Sequence, residues 1–228
     1  MSLRRRTALC ALVAAAVLTV GATAAQAKFV PLTGSTTFTP SAQTTTFLSN
    51  NGVAVAPVGA ATVEGDGYVF PIAAGIGSPR TFYGLLAHKG GLRFTKGERS
   101  AVIRRFVAIR VKRGAALLAQ VPGLRGGCGR LRAAYARFNI QHPGGLRRTP
   151  AVRKLRRAVR NYCSGGRVVV LARLKNLAKQ SRYNGALLSA DLTLSREAAR
   201  LLNKLAGSKV VSAGAPLGSA ESAVTLVD

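Results

Sequence analysis

The stretch that most constrains this chain is Tyr83–Ala119, YGLLAHKGGLRFTKGERSAVIRRFVAIRVKRGAALLA. Apolar and polar residues alternate through it, which is the period of strands with one buried face. Lys89-Gly90-Gly91, Lys96-Gly97 and Arg113-Gly114 break it into at least three strands. In Ala101–Val111 one face carries Ala101, Ile103, Val107, Ile109 and Val111, interrupted by Arg105. The other carries Val102, Arg104, Phe106, Ala108 and Arg110. The pattern predicts a mainly β, antiparallel architecture.

The flanks add strands and short helices. Thr36–Thr39 reads as β, and Ser41 opens a helix that Asn50-Asn51-Gly52 ends. Val53–Val58, Ala60–Val63 and Tyr68–Ala73 are strand-like, and Glu64-Gly65-Asp66-Gly67 is a turn. Near the C-terminus Ser195 caps a helix over Arg196–Ala206, with Ala198, Leu201, Leu202 and Leu205 as its apolar stripe and Gly207 as its stop. The two ends share a strand-helix-Gly-strand pattern, with Gly52 to Gly59 and Gly207 to Gly214 equally spaced.

Residues 1–27 have the form of an export signal. Arg4, Arg5 and Arg6 precede an Ala-, Leu- and Val-rich run, and Ala25-Gln26-Ala27 is a small-x-small cleavage site. The expected location is secreted or at the cell envelope. Removing the signal leaves Cys128 and Cys163, which an oxidising compartment would join in one disulfide. Those cysteines with His88 and His142 offer no closely spaced ligand pair for a metal.

The two cysteines bracket a segment of different character, 124–166, that interrupts the β domain of 28–228. Leu131, Ala134, Tyr135 and Phe138 form one helical stripe; Val152, Leu155, Val159 and Tyr162 form a second. The turn His142-Pro143-Gly144-Gly145 lies between them, and Thr149-Pro150 starts the second helix. The expectation is an inserted helical hairpin, tied by the disulfide, that the sheet does not need. Its outer faces are basic. Arg130, Arg132, Arg137, Arg147, Arg148, Arg153, Lys154, Arg156, Arg157 and Arg160 lie between the cysteines with no acid among them.

The whole chain is basic too, with 34 Lys and Arg against 7 Asp and Glu, a formal charge of +27. Such a balance fits an anionic partner: an envelope polymer first, then lipid headgroups or nucleic acid. Arg147, Arg148, Arg153, Lys154, Arg156, Arg157 and Arg160 are the candidate contacts. The catalytic inventory is thin: two histidines, seven carboxylates, and no nucleophile elbow, P-loop, dinucleotide fingerprint or metalloprotease motif. The expected protein is not an enzyme.

His88 is the most distinctive single residue. It ends the strand Thr81–His88 on the face of Phe82 and Leu86. A histidine at the rim of an apolar face can ligate haem, as can tyrosine. Tyr68 and Tyr83 lie on neighbouring predicted strands, and Arg80, Arg93 and Arg104 could pair with a ligand's carboxylates. The bland alternative is a hydrogen-bonded strand-end histidine.

The central stretch resembles the HtaA-like domain of secreted and cell-surface actinobacterial proteins. The residues that carry this are Tyr68-Val69-Phe70-Pro71-Ile72-Ala73-Ala74-Gly75, then Tyr83-Gly84 to His88-Lys89-Gly90-Gly91-Leu92-Arg93-Phe94, then Arg104-Arg105-Phe106-Val107. Leu118 to Gly123 and Val168 to Leu174 resemble the next two strands. The resemblance implies a β-sandwich with short flanking helices. It also implies haem capture through a tyrosine ligand assisted by a histidine. Haem-binding members of that family open on Trp and Tyr, whereas the opening here has only Phe38 and the chain has no Trp. The tyrosine ligand therefore has no definite position in this sequence. The functional expectation is a cell-envelope binding module, with haem as the possible cofactor. The alternative is a structural or adhesive protein that grips an anionic polymer through the basic insert.

Overall fold

The computed structural model describes residues 29–78, 83–111, 114–141, 150–207 and 211–227. In chain order these form β1 (Val30–Pro40), α1 (Ala42–Asn50), β2 (Ala54–Val58), β3 (Thr62–Glu64), β4 (Gly67–Gly77), β5 (Gly84–His88), β6 (Gly91–Lys96) and β7 (Arg99–Val111). Then follow β8 (Gly114–Val121), α2 (Gly129–Gln141), α3 (Pro150–Cys163), β9 (Arg167–Arg182), β10 (Gly185–Leu194), α4 (Arg196–Ala206) and β11 (Pro216–Leu226).

The strands close into a barrel rather than stacking as a sandwich. Hydrogen-bonded neighbours run β7-β5-β4-β1-β11-β10-β9-β8, and β8 then returns to β7, with every pairing antiparallel. A strand's alternation tells which residues share a face. It does not tell whether the sheet ends or bends round to meet itself, and here β8 has a partner on both edges. Eight strands leave an interior that side chains can fill or that can hold one small ligand. The first and last strands seal the wall: β1 pairs with β11 from Leu32↔Leu226 to Pro40↔Gly218. β6 and β2 extend the sheet beyond β7, and β3 pairs with β4.

Two bulges decide which residues face inward. Arg105 has φ 55 and sits where three residues of β7, from Arg104 to Val107, span two of β8, from Gln120 to Leu118. Its N–H donates to the Gly90 carbonyl at 2.9 Å. Strict alternation would put Ile103 and Phe106 on opposite faces, but the extra residue places both in one interior cluster, while Val107 and Ile109 join the outer one. Asn176, φ 47, does the same in β9, where Lys175↔Asp191 and Ala178↔Ser189 leave one residue over. The Asn176 side chain donates to Asp191 Oδ2 at 2.7 Å. Asn tolerates this left-handed conformation; for Arg105 it is held by the bonds around it.

The short helices begin and end where their side chains dictate. Ser41 Oγ accepts from Thr44 N–H at the start of α1, and Ser195 Oγ accepts from Ala198 N–H at the start of α4. Gly207 stops α4 at φ 78.

The two cysteine-bracketed helices differ most from expectation. The disulfide Cys128–Cys163 is formed, with Cα atoms 5.1 Å apart. Yet α2 and α3 are not a basic appendage on a self-sufficient sheet. They lie on the outer face of β4, β5, β7 and β9. Leu131, Phe138 and Leu155 are 0 % exposed, in one cluster with Ile76, Leu85, Ala87, Val107, Leu118 and Val168 from the strands. That face of the barrel is as apolar as the interior and needs a cover. The turn between the helices, with Arg147, Arg148 and His142, lies outside the described residues, as do Arg80 and residues 1–28.

Because helices and strands share one buried cluster, they should unfold together. Leu155→Ala should lower stability by about 2–5 kcal/mol. Urea transitions followed by the helical circular dichroism signal and by tyrosine fluorescence should shift together. Separate transitions, with the sheet persisting after the helices melt, would show that the sheet stands alone.

Candidate functional site: an apolar cavity with a polar middle

The barrel interior holds a cavity of about 1080 Å3. That is just above the roughly 300–1,000 Å3 range of small-molecule pockets. Its walls are mostly aliphatic and aromatic: Leu32, Phe38, Phe70, Leu86, Phe106, Leu174, Leu188 and Val224 from seven strands. Inward residues of successive strands provide these, and the two bulges add Phe106 to Ile103 and Leu177 to Leu174 on the same lining.

A chain of three polar side chains crosses this apolar wall. His88 is 2 % exposed. Its Nδ1 lies 3.2 Å from the Phe106 carbonyl, and its Nε2 lies 2.8 Å from Thr36 Oγ1. A carbonyl only accepts, so Nδ1 carries the proton and donates, leaving Nε2 to accept from the Thr36 hydroxyl. Thr36 Oγ1 in turn is 2.8 Å from Ser222 Oγ and accepts from it. The order is therefore Ser222 to Thr36 to His88 to Phe106. Burial pushes the His88 pKa down to about 4, while the bond to Phe106 acts in the opposite direction. The imidazole is neutral at physiological pH, with one ring nitrogen free of a proton.

A second contact ties this residue to the outer layer. The Tyr162 hydroxyl of α3 donates to the His88 carbonyl. Burial raises the Tyr162 pKa, opposed by Arg105, whose guanidinium stands 6.0 Å from the ring centroid. Gln120, 0 % exposed, donates to the carbonyls of Tyr162 and Ser164 and accepts from Arg104 Nε at 3.1 Å. Arg104 is thus engaged on the α3 side of the wall and does not line the cavity; exposed Arg93 does not line it either. After His88 the chain turns at Gly90, φ 79, where a Cβ would stand 2.5 Å from Ala61 N.

Of the expected ligand residues, the structure brings His88, Tyr68 and Tyr83 to one cavity. Tyr68 is half-buried, and burial raises the pKa of its phenol. Tyr83 lies at the opposite end from α1, with the Arg110 guanidinium 5.9 Å from its ring centroid. Sequence reasoning missed Thr36, Ser222, Arg110 and Lys179, all of which line the cavity. Arg110 was legible in part, since it shares the alternation of Phe106 and Ala108. Thr36 and Ser222 meet only through the β1–β11 pairing, Thr36↔Ser222, which joins the two ends of the chain.

The basic side chains of α3 that are described, Arg153, Lys154, Arg156, Arg157 and Arg160, are exposed. Arg156 Nε donates to Tyr135 Oη at 3.3 Å. Glu197 accepts from Arg167 at 2.7 Å and lies 3.9 Å from Arg130. Among the described residues no three potential ligands cluster to hold a metal, and no helix is long and apolar enough to cross a membrane.

The fold is similar to that of solved HtaA domains. The C-terminal domain of HtaA from Corynebacterium glutamicum superposes with TM-score 0.56, covering 87% of this chain and 99% of that one at 13% identity. The N-terminal domain of HtaA from the same organism gives TM-score 0.51, with 86% and 98% coverage at 12% identity. Heme-binding protein HtaB of that organism gives 0.49, with 86% and 95% coverage at 8% identity. No protein-family model matches the sequence, and no curated protein matches it. The expected likeness to HtaA domains therefore holds for the fold.

The depressed pKa makes a pH prediction. The unfolded imidazole takes up a proton below about 6.5, whereas the folded one resists until about 4. Stability should therefore fall as pH drops through that window and lose nothing from this group above it. His88→Gln should flatten the fall. Urea midpoints measured from pH 7.5 to 4 for both proteins check it; parallel curves would mean that the imidazole protonates freely in the fold.

Proposed function

We propose that the chain is an exported, non-enzymatic binding module whose barrel interior takes haem. One observation carries the reading: His88 holds an unprotonated Nε2 in the wall of a mostly apolar cavity. The donor set fits. A neutral imidazole is a good iron ligand, and the Nδ1–H bond to a backbone carbonyl fixes both tautomer and ring orientation. In the structure Thr36 occupies that nitrogen through its hydroxyl. Tyr68 and Tyr83 line the same cavity. Haem would supply iron; the chain supplies an apolar slot, a nitrogen or oxygen ligand and exclusion of water. Titration of the purified protein with haemin should give a sharp, saturable Soret band at one equivalent. His88→Ala should weaken binding at least about tenfold, the loss expected of a principal ligand. Should the band be the same in His88→Ala, Tyr68→Phe and Tyr83→Phe, these residues do not hold the iron.

A second role is supported by where α3 spends its two faces. Its apolar stripe is used on the barrel, so Arg153, Lys154, Arg156, Arg157 and Arg160 are left facing outward without an acid on the helix. Like charges at such spacing destabilise a helix modestly. We propose that this face docks the module on an anionic envelope polymer. Affinity for a linear polyphosphate should fall steeply with salt. Replacing Arg153, Arg156, Arg157 and Arg160 by Gln should flatten that slope without altering haemin binding. An unchanged slope would make the face ordinary solvated surface.

A further inference from the structure

The charged residues that line the cavity are separated by sign. Besides neutral His88, they are Arg110, Lys179 and Asp66. Arg110 is the penultimate residue of β7, and Lys179 stands near the end of β9. Register puts both at one end of the barrel. Arg110 pairs with Gly84, Gly84 with Gly77, and Gly77 with Val30, the first residue of β1. Lys179 pairs with Leu188, three residues from the start of β10. The β4–β5, β7–β8 and β9–β10 connections are all at this end. Asp66 lies in the β3–β4 turn at the other end, where Phe47 and Leu48 of α1 join the lining. Between the ends lie apolar side chains and the Ser222–Thr36–His88 chain.

Both cations are half-buried. A Lys or Arg with its stem along an apolar wall and its head at the rim is a common way to place charge at a hydrophobic surface. For Lys179 the placement depends on the Asn176 bulge. In a strand of the same length paired without the bulge, Leu177 and Lys179 would turn to the outer face, beside exposed Arg173 and Lys175. The fold thus brings a lysine into the cavity at the end where Arg110 already stands. A ligand that was apolar throughout would gain nothing from either. A ligand with an apolar body and carboxylates at one edge would find a partner for each part, and Asp66 would repel those carboxylates from the opposite end.

We propose that Arg110 and Lys179 are the anion end of this cavity. They receive the carboxylates of an amphipathic ligand whose apolar body lies against Leu32, Leu86, Leu174 and Val224. The cavity therefore has a direction, and its ligand class is an apolar carboxylate. Where that ligand is haem, as proposed above, its carboxylate edge points to the β4–β5 and β9–β10 end.

The test compares ligands that differ only in charge. Wild type and the Arg110→Gln/Lys179→Gln variant are titrated with haemin and with haemin dimethyl ester. A fluorescent polyene fatty acid and its methyl ester serve as an iron-free pair. The variant should bind the acids at least about tenfold more weakly, the loss expected for charge-assisted hydrogen bonds. It should bind the esters within about twofold of wild type, since no charged group of theirs has lost a partner. Dependence of the fatty acid on these residues, with no haemin binding at all, supports the anion end and removes haem as its ligand. Haemin bound equally by wild type and variant overturns the anion end and leaves the haem reading intact. Failure of wild type to bind any of the four overturns both. If the double variant loses acids and esters alike, Arg110→Lys and Lys179→Arg decide. Retained acid binding in these charge-preserving variants supports the proposal, and a loss as large as the double variant's overturns it.

Discussion

An eight-stranded barrel must close, and closing it needs pairings between strands far apart in the chain. β1 pairs with β11, and β8, next to β7 in the chain, pairs along its other edge with β9 across the length of α2 and α3. Everything else follows from the ring that results. It has an interior, which becomes the cavity. It also has an outer face over β4, β5, β7 and β9 that is too apolar to meet water, so α2 and α3 must cover it. Interior and cover are then linked at a few polar points. Tyr162 and Gln120 satisfy backbone and side-chain groups that the ring would otherwise bury without partners, at the cost such groups carry.

Much of the local structure was legible because its causes are local. Ser41 and Ser195 cap the helices they were expected to cap, and Gly207 ends α4. Cys128 and Cys163 pair because two amphipathic helices bring them together. The barrel was not legible, since its closure depends on pairings such as Leu32 with Leu226 that no window of sequence contains. The helices were misjudged for a related reason. Their stripes were visible, but what the stripes would cover was not, since the outer face of β4 and β5 looks the same in sequence as an inner one. The interruption at Arg105 was visible as a break in alternation; only the register shows that it is a bulge and that Phe106 faces inward because of it.

The same limits explain the site. His88 was read as a rim residue at a strand end, but Ile72↔His88 pairing and the Phe106 carbonyl enclose it in the wall. Tyr68 and Tyr83 both line the cavity, but at opposite ends of β4. Charge alone makes Arg93 and Arg104 candidate carboxylate partners. Arg104 is engaged with Gln120 and Arg93 faces outward, leaving Arg110 and Lys179 to line the cavity. In a chain of 34 basic residues composition cannot select two; only the inward parity of their strands can.

The bulge at Asn176 makes β9 behave as a text with a reading frame. Leu174 and Leu177 are three residues apart yet face the same way, because one residue between them is absorbed by the left-handed turn of Asn176. Deleting that residue would leave a plain strand in which both leucines and Lys179 still point inward. Keeping the length but substituting a β-branched residue, which resists positive φ, would push the strand toward regular pairing and turn everything beyond it to the wrong side. At this position a missing residue is milder than a changed one, the reverse of the usual rule for the interior of a strand.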